Sequence, residues 1–147
     1  MKSRPTDPPF WQDRPFWLAL SLGPLCWLAM FLLGVPLRDG TPPWKSLLWA
    51  ALLYPVLEEY VFRGGLQAEL FKRTSFSHSK LGVSIANVMT SVLFAAMHLI
   101  SQPPIWAALV FVPSLVFGWM RDRYSHIYAS IALHIVYNAG FIWLYSA

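Results

Sequence analysis

The chain has 147 residues, 56% of them hydrophobic and 12% charged, with a formal net charge of +4. Soluble domains carry about 25% charged residues, so the composition argues against an ordinary soluble domain and for a membrane protein. The basic residues are scattered between apolar runs rather than clustered, which fits membrane orientation and not a nucleic-acid surface.

In chain order, residues 1–15 are rich in proline and read as a flexible cytoplasmic tail, and 16–147 as one membrane-embedded domain. Five apolar segments follow: Phe16–Leu37, Trp44–Phe62 with a helical extension towards Phe71, Leu81–Ile100, Ile105–Met120 and Ile127–Tyr145. A spanning helix needs about 20 residues, so the expected fold is all-α, a polytopic membrane bundle of about five transmembrane helices with a four-helix core. The first run begins too late and is too long for a cleaved signal peptide and is read as a retained span. The fourth is short and contains Pro113, which predicts a kink or a partly re-entrant segment. Cys26 is the only cysteine, so no disulfide forms within the chain; its apolar surroundings suit packing.

Loop charges set the expected orientation. With the N-terminus inside, Lys2, Arg4, Arg14, Lys72, Arg73, Lys80, Arg121 and Arg123 are cytoplasmic, and only Arg38 and Lys45 are outside. Eight against two predicts an N-in, C-out protein, expected in a bacterial inner membrane. Trp11, Trp17, Trp44, Trp106, Trp119, Tyr124 and Tyr145 lie near segment ends, as an interfacial belt would place them.

Three polar clusters interrupt the apolar segments. Glu58, Glu59 and Arg63 lie in the second. A charge at the bilayer centre costs roughly 2.5–3.5 kcal/mol on insertion scales, so such groups usually serve a function. On a helix Glu59 and Arg63 are i,i+4 and can pair, while Glu58 points about 100° away towards another neighbour. One arginine leaves one carboxylate in excess, which favours chemistry over a packing-only ion pair. In the third segment Asn87, Ser91, Phe94 and His98 share a helical face; in the last, Ser130, His134 and Asn138 do the same. Any one cluster alone could be interhelical hydrogen bonding. Counted from the cytoplasmic ends at ~1.5 Å per residue, Glu58, His98, His134 and Asn138 lie about 21, 27, 12 and 18 Å deep, compatible with one site at or beyond mid-membrane.

A glutamate and a histidine can together hold and deprotonate water, and a second histidine with an asparagine amide can stabilise an oxyanion. That constellation suits amide hydrolysis without a covalent intermediate and without a cofactor. A divalent metal such as zinc, held by Glu58, His98 and His134, is the chemical alternative.

The motifs EEYVFR (Glu58–Arg63), FAAMH (Phe94–His98) and HIVYN (His134–Asn138) match in order the pattern EExxxR, FxxxH, HxxxN/D. They resemble the CPBP superfamily of intramembrane glutamic endopeptidases, which includes type II CAAX prenyl proteases and bacteriocin-processing and ABI-like immunity proteins. The resemblance covers about residues 55–140. It implies Glu58 as general base activating water with His98, His134 and Asn138 as the oxyanion site, and Glu59, Arg63 and Phe94 in support. It further implies a membrane-anchored protein or peptide substrate within the lipid bilayer. Small bacterial members are associated with processing C-terminal sorting signals, the substrate class expected here. A CAAX-type prenyl-protein endopeptidase and a non-catalytic immunity or scaffold protein of the same fold are the alternatives. A proton or ion relay is disfavoured, because Ser101–Pro104 carries no ionisable group.

Overall fold

Prolines and glycines determine where the helices begin, bend and stop. The computed structural model describes residues 9–80, 82–124 and 126–145. Residues 1–8 of the expected tail, including Lys2 and Arg4, lie outside the described residues, as does Leu81, where the third apolar run was placed. Helix α1, Arg14–Leu32, has Pro15 in its first turn, where the missing N–H costs nothing. It stops five residues short of the expected Leu37. Gly34 follows with φ of 80°, a left-handed conformation that ends the helix, and Pro36 cannot resume it.

The second segment is one long helix, α2, over residues 44–71. It runs through Gly64 and Gly65, as the expected extension to Phe71 requires. It is not uniform. A regular α-helical turn, Tyr54–Glu59, is bracketed by two π-helical stretches, Leu47–Leu53 and Tyr60–Gln67. A short helix α3 (Thr74–Ser77) and a two-stranded antiparallel hairpin follow. The hairpin pairs β1 (Ser79–Lys80) with β2 (Val83–Ser84) around Gly82 at φ 79°, a feature not expected from the hydrophobic pattern.

The third apolar run forms α4, Ile85–His98, shorter at both ends than expected. Ser84 caps its start by accepting from the Asn87 amide at 3.0 Å. The fourth run breaks into α5, Pro104–Leu109, and α6, Phe111–Tyr124. The break falls where Pro113 removes the donor that the Leu109 carbonyl would need, and so meets the expectation of a kink. Helix α7, Tyr128–Leu144, completes the chain.

The helices thus pack as a bundle: α7 lies between α2, α6 and α1, and α4 packs on α6 and the second half of α2. Gly118 permits the α4–α6 approach, since a Cβ there would meet Asn87 Oδ1 at 1.8 Å. A core of Phe16, Ala19, Phe117, Met120, Ala129, Leu133 and Tyr137 joins α1, α6 and α7. The bundle surface is apolar. Leu18, Leu25, Leu57, Tyr60, Val61, Val92, Met97, Val112 and Trp143 are all exposed, a surface suited to lipid. Two stretches, Arg14–Leu32 and Pro104–Tyr124, are each long and apolar enough to cross a membrane; Ile85–His98 and Tyr128–Leu144 are shorter apolar helices.

The two ends of the bundle are held by different contacts. At one end Asp13 Oδ2 accepts from Arg123 Nε at 2.9 Å and from Tyr124 Oη at 2.8 Å. At the other, Arg38 donates through its backbone to the Leu144 carbonyl at 2.7 Å and through Nε to Ile142 at 3.2 Å.

Candidate functional site

The middle turn of α2 presents two glutamates in different directions. Glu59 points into the bundle and is fully buried. Its Oε1 accepts from His134 Nδ1 at 2.9 Å, and its Oε2 lies 3.5 Å from Arg63 Nε, an ion pair one turn along the helix. Arg63 is also fully buried. It donates to the Ser114 carbonyl at 2.9 Å, to Ser114 Oγ at 2.5 Å and to Gln67 Oε1 at 3.2 Å. Gln67 in turn donates to the Gly118 carbonyl at 2.9 Å and to Asp122 Oδ1 at 2.8 Å, and Asp122 Oδ2 accepts from the Ser84 amide at 3.1 Å. A ladder Glu59–Arg63–Gln67 therefore ties α2 to α6 and ends on the hairpin.

Glu58 points elsewhere. A third of its side chain remains exposed, and its Oε2 lies 3.6 Å from His134 Nε2, close but not hydrogen bonded. His134 thus sits between the two carboxylates, stacked on Phe117 with ring centroids 4.6 Å apart. Because a carboxylate only accepts, the 2.9 Å contact assigns the Nδ1 proton of His134 to the Glu59 side and turns Nε2 towards Glu58.

Phe94 brings the third segment in. Its ring centroid is 4.7 Å from that of His98 and 5.9 Å from that of His134, and the Arg63 guanidinium lies 5.6 Å above it. His98 Nδ1 is 2.9 Å from the Phe94 carbonyl. A carbonyl cannot donate, so Nδ1 carries the proton and Nε2 keeps a free lone pair. Among the described residues no three His, Cys, Asp or Glu side chains are grouped to hold a metal ion.

Asn138 occupies the next turn of α7 and donates through Nδ2 to the Ala50 carbonyl of α2 at 2.9 Å. The reason is local. In the π-helical stretch the Tyr54 amide bonds back to Trp49, and the next donor in register would belong to Pro55, which has none. Ala50 is left without a backbone partner, and Asn138 supplies one. One amide proton of Asn138 and its Oδ1 stay available.

Glu58, Glu59, Arg63, Phe94, His98 and His134 therefore gather around one centre, with Asn138 a turn away. The other polar residues of the clusters serve packing. Asn87 donates to the Leu115 carbonyl and accepts from Ser91 Oγ, and Ser130 donates to the Phe117 carbonyl. Sequence reasoning missed Gln67, Ser114 and Asp122. Gln67 had a signal, since it extends the i,i+4 stripe from Glu59 and Arg63 by one more turn.

Two carboxylates, two imidazoles and a guanidinium thus form one polar cluster inside a helical bundle whose surface is apolar. Residues 40–140 match the family of Rce1-like proteins, type II CAAX prenyl endopeptidases. The match takes in more than half of the chain and all three motifs, and the protein belongs to that family of membrane proteases. No curated protein and no solved structure matches the chain.

Proposed function

We propose that the protein is a five-pass intramembrane endopeptidase that hydrolyses a peptide bond of a membrane-anchored substrate with activated water. The observation that carries this reading is the asymmetry of the glutamates: Glu59 is fully buried, hydrogen bonded to His134 through Oε1 and ion-paired with Arg63 through Oε2, while Glu58 is a third exposed and has no hydrogen-bond partner among the described residues. Glu58 and the free Nε2 of His98 hold a water and take its proton as the oxygen attacks the carbonyl carbon. The oxyanion that forms is stabilised by His134, acting as an imidazolium that donates Nδ1–H to Glu59 and Nε2–H to the oxyanion, and by the free amide proton of Asn138. The carbon–nitrogen bond then breaks, and the proton held by Glu58 passes to the leaving amine. Glu59, Arg63 and Phe94 hold the imidazoles in place.

The proposed substrate is a C-terminal sorting signal, a short motif followed by a transmembrane helix and a basic tail, cleaved on the outer side of an N-in, C-out protein. The helical passes put Arg38 and the α7 end together, opposite Arg123, which supports this orientation. The family match favours a second substrate class, a prenylated CAAX end. Proteoliposomes holding the wild type or Glu58→Gln, offered one peptide of each class, separate these readings by mass spectrometry. Cleavage of the sorting-signal peptide by the wild type alone is the expected result. Cleavage of the prenylated peptide alone reassigns the substrate, and cleavage of neither by the wild type returns the scaffold reading. Loss of activity with phenanthroline, restored by zinc, would make Glu58, His98 and His134 metal ligands.

A further inference from the structure

A second polar feature lies outside the reaction centre. An open cavity of about 530 Å³ is lined by Tyr60, Gly64, Gly65, Arg121, His126 and Tyr128, among others. It sits between the second half of α2 and the α6–α7 connection, at the end of the bundle that carries Arg123. Its polar groups are all suited to an anion. Arg121 uses only Nε, donating to the Arg63 carbonyl at 3.3 Å, so its two terminal nitrogens have no partner among the described residues. His126 Nδ1 is buried and unpartnered. Helix α7 starts at the cavity, where Ile127 and Tyr128 line the wall, and has no side-chain cap. No carboxylate lines the cavity.

What anion fits is decided by the walls. Tyr60 and Tyr128 are more than half exposed at the rim, as aromatic side chains at a membrane interface are. From Tyr60 an exposed apolar stripe of Val61 and Leu57 runs along α2 into the region facing lipid. The ligand is thus anionic at one end and apolar at the other. We propose that this cavity binds the phosphodiester headgroup of an anionic phospholipid, with Arg121 as its charged donor, His126 in its wall and the α2 stripe beneath its acyl chains. A zwitterionic headgroup would bring an ammonium that finds no acidic partner in the lining. The site lies about one and a half turns of α7 from His134, so an occupied cavity closes the bundle towards the basic end. This reading requires membrane embedding and does not depend on the proposed proteolysis.

The test is native mass spectrometry of the full chain in neutral detergent, titrated with phosphatidylglycerol or with phosphatidylcholine of the same acyl chains. One tightly retained phosphatidylglycerol, in preference to phosphatidylcholine, is expected. Arg121→Gln should weaken retention about tenfold or more, as loss of a charged hydrogen-bond donor does. Gly65→Leu tests the cavity without touching its charge. Gly65 lines the cavity, and a Cβ there meets only the Tyr60 carbonyl, at 3.7 Å, an ordinary contact, so a larger side chain has room to begin at this wall. It too should abolish retention, and it decides the matter if Arg121→Gln fails to fold. Equal retention of the two lipids, wild-type retention in Gly65→Leu, or displacement of the lipid by inorganic phosphate in excess would overturn the proposal.

Discussion

The two glutamates differ by one residue in sequence and almost completely in surroundings. Glu59 belongs to a closed ladder in which every charge has an opposite charge or a dipole against it: His134, Arg63, Ser114, Gln67 and Asp122 in succession. Glu58 is a third exposed, with one imidazole at 3.6 Å. A buried charge is tolerated when its partners are in place, and breaking such a set by removing one member costs about 3–5 kcal/mol. The ladder therefore behaves as scaffold, and its rigidity lets the neighbouring carboxylate stay unsatisfied and available for chemistry. Adjacent acids on one helical turn can hold opposite duties because 100° of rotation separates them.

Substitutions can break this contrast. Glu58→Gln is expected to lower turnover by at least ~10³, an effect in the range of losing a positioned acid–base group, with thermal unfolding in detergent unchanged. Glu59→Gln should instead unfold the protein at lower temperature. Equal losses of stability in both variants would erase the distinction. Arg63→Met removes the centre of the ladder and leaves Glu59 uncompensated; a loss of about 3–5 kcal/mol in mixed-micelle denaturation is expected. Gly118→Ala should cost about 1–3 kcal/mol, since it overpacks the α4–α6 contact against Asn87. A neutral outcome there would mean that the ladder tolerates a shifted α6.

The smallest effect is expected at the clamp on the N-terminal segment. Burial alone would raise the Asp13 carboxyl, but its bonds from Arg123 and Tyr124 outweigh burial and hold it below the usual aspartate value. A lowered folded value gives stability that is present above the unfolded value and lost as pH falls through the folded one. Asp13→Asn should therefore cost only about 0.5–1 kcal/mol at neutral pH, as partly exposed ion pairs do. The variant and the wild type should converge in strong acid. Hydrogen exchange at Trp11 and Trp17, which share a hydrogen bond at 2.8 Å, would report the release.

The site was legible in the sequence to the extent that its partners are local. Glu59 and Arg63 pair at i,i+4 as spacing alone requires, and Phe94 sits over His98 for the same reason. The role of Glu59 towards His134 was not legible, because the two are 75 residues apart and meet only when α2 and α7 pack. Asn87 and Ser91 share a face with His98 but serve the interhelical hydrogen bonding that such residues often supply. That face is long enough to meet two different neighbours, and its first half faces the α6 backbone. Helix boundaries failed where a cap or a positive φ overruled hydrophobicity, at Gly34 and Ser84. The π-helical stretches of α2 left no mark on the pattern of apolar residues.

The missing amide proton of Pro55 reaches further than its own helix. Asn138 is held where it is by a vacancy in the hydrogen-bond ladder of α2, so the aim of a proposed catalytic group is encoded in an irregularity of another strand of chain. A more regular α2 would be a poorer partner. Replacing Pro55 by a residue with an N–H would let the backbone satisfy Ala50 by itself and leave the asparagine free to turn, and a variant better formed as a helix would be looser as an enzyme.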